Sequence, residues 1–199
     1  MPDHRLTTFS QESRDKSPWT LGHRFRTLLW SIVWLLFFRS TPRYCYKWRN
    51  FLLKCFGCKI SGVPYSFNTA KIKFPWLLTM EDHACIGDRA VVYNLGPVTL
   101  KARSLVAQEV YLCTGTHDLS DPRLPLQVGP IVVGEDVFIG VRALVLPGVE
   151  IGDGAVVGAG SVVTKDMPAW MVCAGNPCRP IKPRHRGNSP AILEKSPTP

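Results

Sequence analysis

The chain has 199 residues, 45% apolar and 20% charged, with 24 Lys and Arg against 15 Asp and Glu. This composition excludes a wholly disordered chain and a polytopic membrane protein. A net charge of +9 suits an anionic partner such as nucleic acid, a membrane surface or a phosphorylated small molecule.

Residues 1–18 are polar and aperiodic, which predicts a flexible arm, and they lack the apolar core of a secretory signal. With an odd count of seven cysteines, the expectation is a reduced, cytoplasmic protein with free thiols. Residues 19–58 form an N-terminal helical segment. Its run LLWSIVWLLFF at 28–38 falls short of the roughly 20 residues a membrane-spanning helix needs. His23, Arg24 and Arg26 precede the run, and Arg39, Arg43, Lys47 and Arg49 follow it. Two readings stay open: a helix packed on the main domain or on a neighbouring subunit, or peripheral membrane contact through residues 23–49. A second helix is predicted at roughly Tyr44–Phe56. Cys55-Phe56-Gly57-Cys58 has no second pair and no suitably spaced His, so no metal is expected there.

Residues 59–183 follow a six-residue rhythm. Aliphatic residues recur at Val133, Ile139, Val145, Ile151, Val157 and Val163, and upstream at Met80, Ile86, Val92 and Val98, then after a two-residue slip at Leu100, Val106 and Leu112. Six fits neither a helix nor a long alternating strand. It fits a short strand and a corner, three sides to an 18-residue coil, stacked by parallel pairing into a solenoid with a continuous core. Glycines one position after the aliphatic residue (134, 140, 152, 158) are expected to supply unusual corner angles, and the residue four positions after it must be small. Two irregularities break the pattern: Asn94-Leu95-Gly96-Pro97, and a loop over Thr116–Pro130 opened by Gly115-Thr116-His117-Asp118. Repeat proteins place function in such excursions. Residues 184–199 read as a disordered tail.

The run Tyr111–Asp118, Asn94-Leu95-Gly96-Pro97-Val98 and the ending Ala174-Gly175-Asn176-Pro177-Cys178-Arg179 resemble the hexapeptide-repeat acyltransferases over roughly residues 60–183. The likeness is closest to the colanic-acid-type exopolysaccharide O-acetyltransferases, whose Y-L-C-T-G-S-H-D this chain matches with Thr116 for Ser. The resemblance implies a left-handed parallel β-helix, an exception to the right-handed crossover rule. It also implies a homotrimer with sites between subunits, acetyl-CoA as donor, and a sugar or lipid-linked oligosaccharide as acceptor.

Within that family His117 is the general base, since a neutral imidazole suits proton removal from a hydroxyl. Asp118 or a loop carbonyl would fix its tautomer. Asn94 is expected to hydrogen-bond the acceptor, and a backbone N–H near Gly140 to serve the thioester oxyanion. The pantetheine arm is expected along Phe138, Gly140, Val141, Ala159 and Gly160. The phosphates are expected at Thr164, Lys165, Arg179 and Lys182, where Lys182 stands in place of the relatives' Arg. Cys113 and His83 read as packing and surface residues, and the glycines at 154, 158 and 160 lack dinucleotide spacing. No nucleic-acid patch appears. The competing readings are another acceptor (free sugar, serine or antibiotic), a metal-dependent hydratase, or a non-catalytic scaffold.

Overall fold

A computed structural model describes residues 5–9 and 18–185. Short strands alternate with corners and stack into three parallel walls. The first wall holds the strands at 59–60, 78–80, 98–100, 131–133 and 150–151. The second holds those at 65–66, 85–86, 105–106, 138–139 and 156–157 and is extended at its end by 171–175 and 178–183; the third holds those at 71–72, 91–93, 111–113, 144–145 and 162–163. The rhythmic aliphatic residues point into the prism: Met80, Ile86, Val92, Leu100, Val106, Leu112, Val133, Ile139 and Val145 are all fully buried. Ala143, Ala155 and Ser161, four positions on, are buried beside them.

The coils differ in length, and the one that carries the hairpin, from Leu105 to its partner Phe138, is the longest at 33 residues. Tyr65 pairs with Cys85 and Cys85 with Leu105, steps of 20 residues. Phe138 pairs with Val156 and Leu144 with Val162, steps of 18. The surplus residues all sit at the corner from the third wall to the first: the turn Pro75–Leu77, Asn94–Pro97, then the long excursion after Thr114. The excursions stack, so Phe74, Leu95, Leu126 and Val128 make a second apolar cluster outside the prism.

The glycines that follow the aliphatic positions have a different cause from the one expected. Left-handed corner angles fall two residues later, at Asp136 (φ 54°), Arg142 (φ 59°), Gly154 and Gly160 (both φ 67°). Gly140 and Gly152 are needed for close approach: a Cβ there would lie 2.6 Å from the Ala159 nitrogen and 2.5 Å from the Ala169 nitrogen.

Helix α1 (Leu21–Val33) is capped by the Thr20 hydroxyl, which accepts the His23 N–H at 3.3 Å, and continues as a π-helical turn over Trp34–Phe38. Helix α2 spans Tyr46–Cys55. One face of α1 covers the first coil. Trp30 and Phe38 are buried in the main core, and the Trp30 and Trp34 indoles donate to the Ile72 and Ala70 carbonyls at 2.7 and 2.8 Å. Phe25, Leu28, Ile32, Leu35, Leu36 and Phe37 on its other side are exposed. Arg49 is no flanking surface cation. It is fully buried, donating to the Ser66, Pro42 and Arg43 carbonyls and the Thr41 hydroxyl at 2.6–2.9 Å.

One described segment near each end differs from the sequence expectation, and residues 1–4 and 10–17 of the expected arm lie outside the described residues. Thr7–Thr8, in the arm read as flexible, pairs antiparallel with Gln127–Val128. At the other end Met171–Gly175 pairs with Cys178–Pro183, and Arg184 donates to the Asp136 and Gly154 carbonyls at 2.8 and 2.9 Å. The rest of the expected tail, from 186 onward, lies outside the described residues.

Candidate active site

The excursion is a hairpin. Gly115–His117 pairs antiparallel with Leu126–Val128, with His117 opposite Leu126. Its tip is braced locally. The Asp118 carboxylate accepts the Ser120 amide (2.9 Å) and hydroxyl (2.6 Å), which hold its pKa below the usual carboxylate range. Arg123 pairs with Asp121 at 2.6 Å and lowers that carboxyl to about 2. Leu124 N–H donates to the Asp121 carbonyl at 2.8 Å, closing a turn that leaves Leu124 in the left-handed region at φ 49°. A non-glycine residue held there marks a backbone that its surroundings over-determine.

That turn aims the Leu124 carbonyl at His117, 2.8 Å from Nδ1. A carbonyl only accepts, so Nδ1 carries a proton, and in the neutral ring the lone pair is on Nε2. The orienting group is therefore the loop carbonyl, and Asp118 braces the tip instead. His117 itself is exposed in the single chain.

Two of the expected site positions make hydrogen bonds within the stack. Asn94 is fully buried, its amide donating to the Phe74 carbonyl at 2.7 Å and its oxygen accepting the Phe74 N–H at 2.9 Å. These two bonds tie one corner to the previous one. The Gly140 N–H donates to the Val157 carbonyl at 2.8 Å within the stack.

The remaining donor candidates fall into two groups. Phe138 pairs with Val156, Val156 with Val172 and Val172 with Lys182, so an aromatic wall and a cation share one outward column of the second wall. Val141, Ala159 and Gly160 stand at its exposed corner to the third wall, where the Gly160 N–H reaches the Val141 carbonyl at 2.9 Å. Arg179 is exposed near the end of the same wall. Thr164 and Lys165 are exposed across the strand Val162–Val163, at the corner from which the hairpin emerges two coils earlier. The chain alone does not bring these two groups together.

Sequence reasoning missed Leu124, whose unusual angle no leucine signals, and a groove of about 420 Å³ beside the hairpin, lined by Trp19, His23, Arg24, Thr27, Lys73 and Tyr93 among others. His23 stacks on Trp19 at 4.4 Å, and burial, then Arg26 and Lys73, push its pKa down. Cys113 donates to the Gly115 carbonyl at 3.2 Å, and burial raises the Cys58 thiol to about 12. Among the described residues no three His, Cys, Asp or Glu side chains converge as a metal site.

Residues 130–165 match the family pattern described as the hexapeptide repeat of succinyl-transferase. The chain is 42% identical over 163 residues to the colanic acid biosynthesis acetyltransferase WcaF of Escherichia coli strain K12, covering 82% of this chain and 90% of that one. The chain belongs to the hexapeptide-repeat acetyltransferases. Its solenoid matches the left-handed β-helix of those enzymes, and the protein is an acyltransferase. A galactoside acetyltransferase solved with coenzyme A superposes at a TM-score of 0.74, with 26% identity, over 90% of this chain and 86% of that one. A maltose O-acetyltransferase of Clostridium difficile 630 superposes at 0.67, with 25% identity, over 82% and 88%.

Proposed function

We propose that the chain transfers acetyl from acetyl-CoA to a sugar hydroxyl during surface-polysaccharide synthesis, with His117 as general base. The observation that carries this reading is the Nδ1–Leu124 contact at 2.8 Å on an exposed hairpin, which leaves Nε2 as the proton acceptor. Nε2 takes the hydroxyl proton as the oxygen attacks the thioester carbonyl. The tetrahedral intermediate then expels the CoA thiolate, which receives that proton, and an O-acetyl ester remains.

The donor reading is supported by the Phe138-to-Lys182 column, an apolar strip ending in charge, as an apolar arm with a phosphate end requires. A homotrimer is supported by a belt of Leu105, Tyr111, Phe138 and Val141, each 37–40% exposed, and by the separation of Thr164 and Lys165 from Phe138. A site using both groups needs a second copy. The acceptor reading is supported by the groove beside Leu95, where Trp19 and Tyr93 offer sugar-stacking faces next to Arg24 and Lys73.

The exposed face of α1 supports peripheral contact with the anionic, cytoplasmic face of a membrane. No acidic residue occurs between 16 and 80, whereas Arg24, Arg39, Arg43 and Lys47 surround the apolar face. Among the described residues no helix is long and apolar enough to cross a membrane. A lipid-linked oligosaccharide presented at that surface fits both features.

The test is acetyl-CoA turnover with free and lipid-linked oligosaccharides, with product mass spectrometry. An O-acetylated sugar with stoichiometric CoA release is expected. Turnover confined to serine, an antibiotic or an amine would overturn the acceptor class.

A further inference from the structure

The amino-terminal arm has no part in the chemistry just described, yet it touches both halves of the site. Phe9 N–H donates to the Leu126 carbonyl at 2.8 Å, and Leu126 stands directly opposite His117. Thr8 receives the Gln127 side-chain amide at 3.1 Å, and Thr7 pairs with Val128. The sheet order is therefore arm, Leu126–Val128, Gly115–His117, with the arm covering what would otherwise be a free edge. At its start Arg5 forms a fork on Asp166 at 2.5 and 2.9 Å and also donates to the Gly148 carbonyl at 2.8 Å. Asp166 directly follows the donor candidates Thr164 and Lys165, and its carboxylate also accepts the Glu150 N–H at 2.8 Å.

A two-stranded ribbon of three residues per strand is marginal by itself. This one carries a base whose usefulness depends on one carbonyl, Leu124, two residues from Leu126. We infer that residues 5–9 are a positioning strap: a third strand that immobilises the catalytic hairpin and ties it to the solenoid beside the donor-binding corner. The inference rests on the reading of His117 as base. The Arg5–Asp166 pair is half-exposed, so it contributes little stability. It acts as the pin that sets the strand's register, while the backbone pairing and Phe9, packed at 5.4 Å from Trp19, hold the strand down. The arm thereby links the hairpin both to Trp19, just before α1, and to Asp166 at the donor corner.

The experiment uses the full chain. Phe9→Pro removes the N–H that Leu126 accepts, and Phe9→Leu keeps it. Arg5→Ala removes the pin, and Arg5→Lys restores charge without the fork. Amide exchange is read over 115–117 and 126–128, alongside kcat and KM for acetyl-CoA. Phe9→Pro should raise hairpin exchange at least about tenfold. It should lower kcat between about ten- and a hundredfold, the effect of roughly 1 Å of misplacement, with KM for acetyl-CoA within about twofold. Phe9→Leu should keep kcat within about threefold, and Arg5→Lys should recover part of what Arg5→Ala loses. Unchanged exchange in Phe9→Pro, equal losses in the proline and leucine variants, or a raised KM with intact kcat in Arg5→Ala would overturn the strap. Exchange reports on it even if His117 proves dispensable, so the two ideas fail separately.

Discussion

Replacing Gly152 by Ala tests the claim that the glycines of the repeat serve close approach between coils. The new Cβ would sit 2.5 Å from the Ala169 nitrogen, 2.9 Å from its Cα and 3.1 Å from its Cβ. Ordinary contact begins near 3.4 Å, so the backbones must part by most of an ångström. That movement strains the Gly152 N–H bond to the Met167 carbonyl, now 2.8 Å. Overpacking costs about 1–3 kcal/mol and a weakened buried hydrogen bond about 1 more, a total of about 3 kcal/mol. At about 2–4 °C per kcal/mol for a chain of this size, the melting temperature should fall by about 6–12 °C. Gly160→Ala is the internal control. There φ is +67° and nothing lies within 4 Å of the new Cβ, so only the left-handed strain remains, about 1 kcal/mol or about 2–4 °C. Melting curves at matched concentration decide it. Equal losses in the two variants, or a larger loss in Gly160→Ala, would refute the close-approach explanation.

Arg49→Leu keeps the bulk but removes four buried hydrogen bonds, to the Ser66, Pro42 and Arg43 carbonyls and the Thr41 hydroxyl. Calorimetry should show a loss of about 3 kcal/mol, against almost none for Arg39→Leu on the exposed surface. His23 is held neutral in the fold by burial, then by Arg26 and Lys73, whereas its unfolded form takes a proton near pH 6.5. The unfolded state thus binds more protons below that pH, so denaturant midpoints should fall as pH drops from 7 through 6, and His23→Gln should flatten this slope. Leu36→Glu with Phe37→Glu, at positions 55% and 51% exposed, should cut binding to anionic vesicles at least about tenfold while leaving the melting temperature unchanged. Undiminished vesicle binding would remove α1 from the membrane reading.

The prism was legible because its cause is periodic. An aliphatic residue every sixth position has no other way to be buried, and Met80 through Val163 are accordingly at the core. His117 was legible as a polar interruption of that rhythm. What stayed hidden depends on contacts between coils. The glycine at 140 looks the same in sequence whether it supplies an angle or a gap, and only the Ala159 nitrogen at 2.6 Å decides. Asn94 reads as a turn residue or a ligand, and its two bonds to the Phe74 backbone one coil earlier leave no local trace. The two-residue slip near Leu100 is the visible trace of a longer corner, which recurs at Pro75 and widens into the hairpin. Arg49 sits among other basic residues and is distinguished by carbonyls at 42, 43 and 66, which no local pattern connects. The strand at Thr7–Thr8 is made by pairing with residues some 120 positions away, so polarity alone read it as loose.

Single-turnover acetyl transfer by His117→Ala beside the unaltered protein weighs most heavily on this account. The variant should lose about 10²- to 10⁴-fold in rate while binding acetyl-CoA as before and melting at the same temperature. A rate within about threefold of the original, at every pH from 6 to 9, would mean that another group takes the hydroxyl proton.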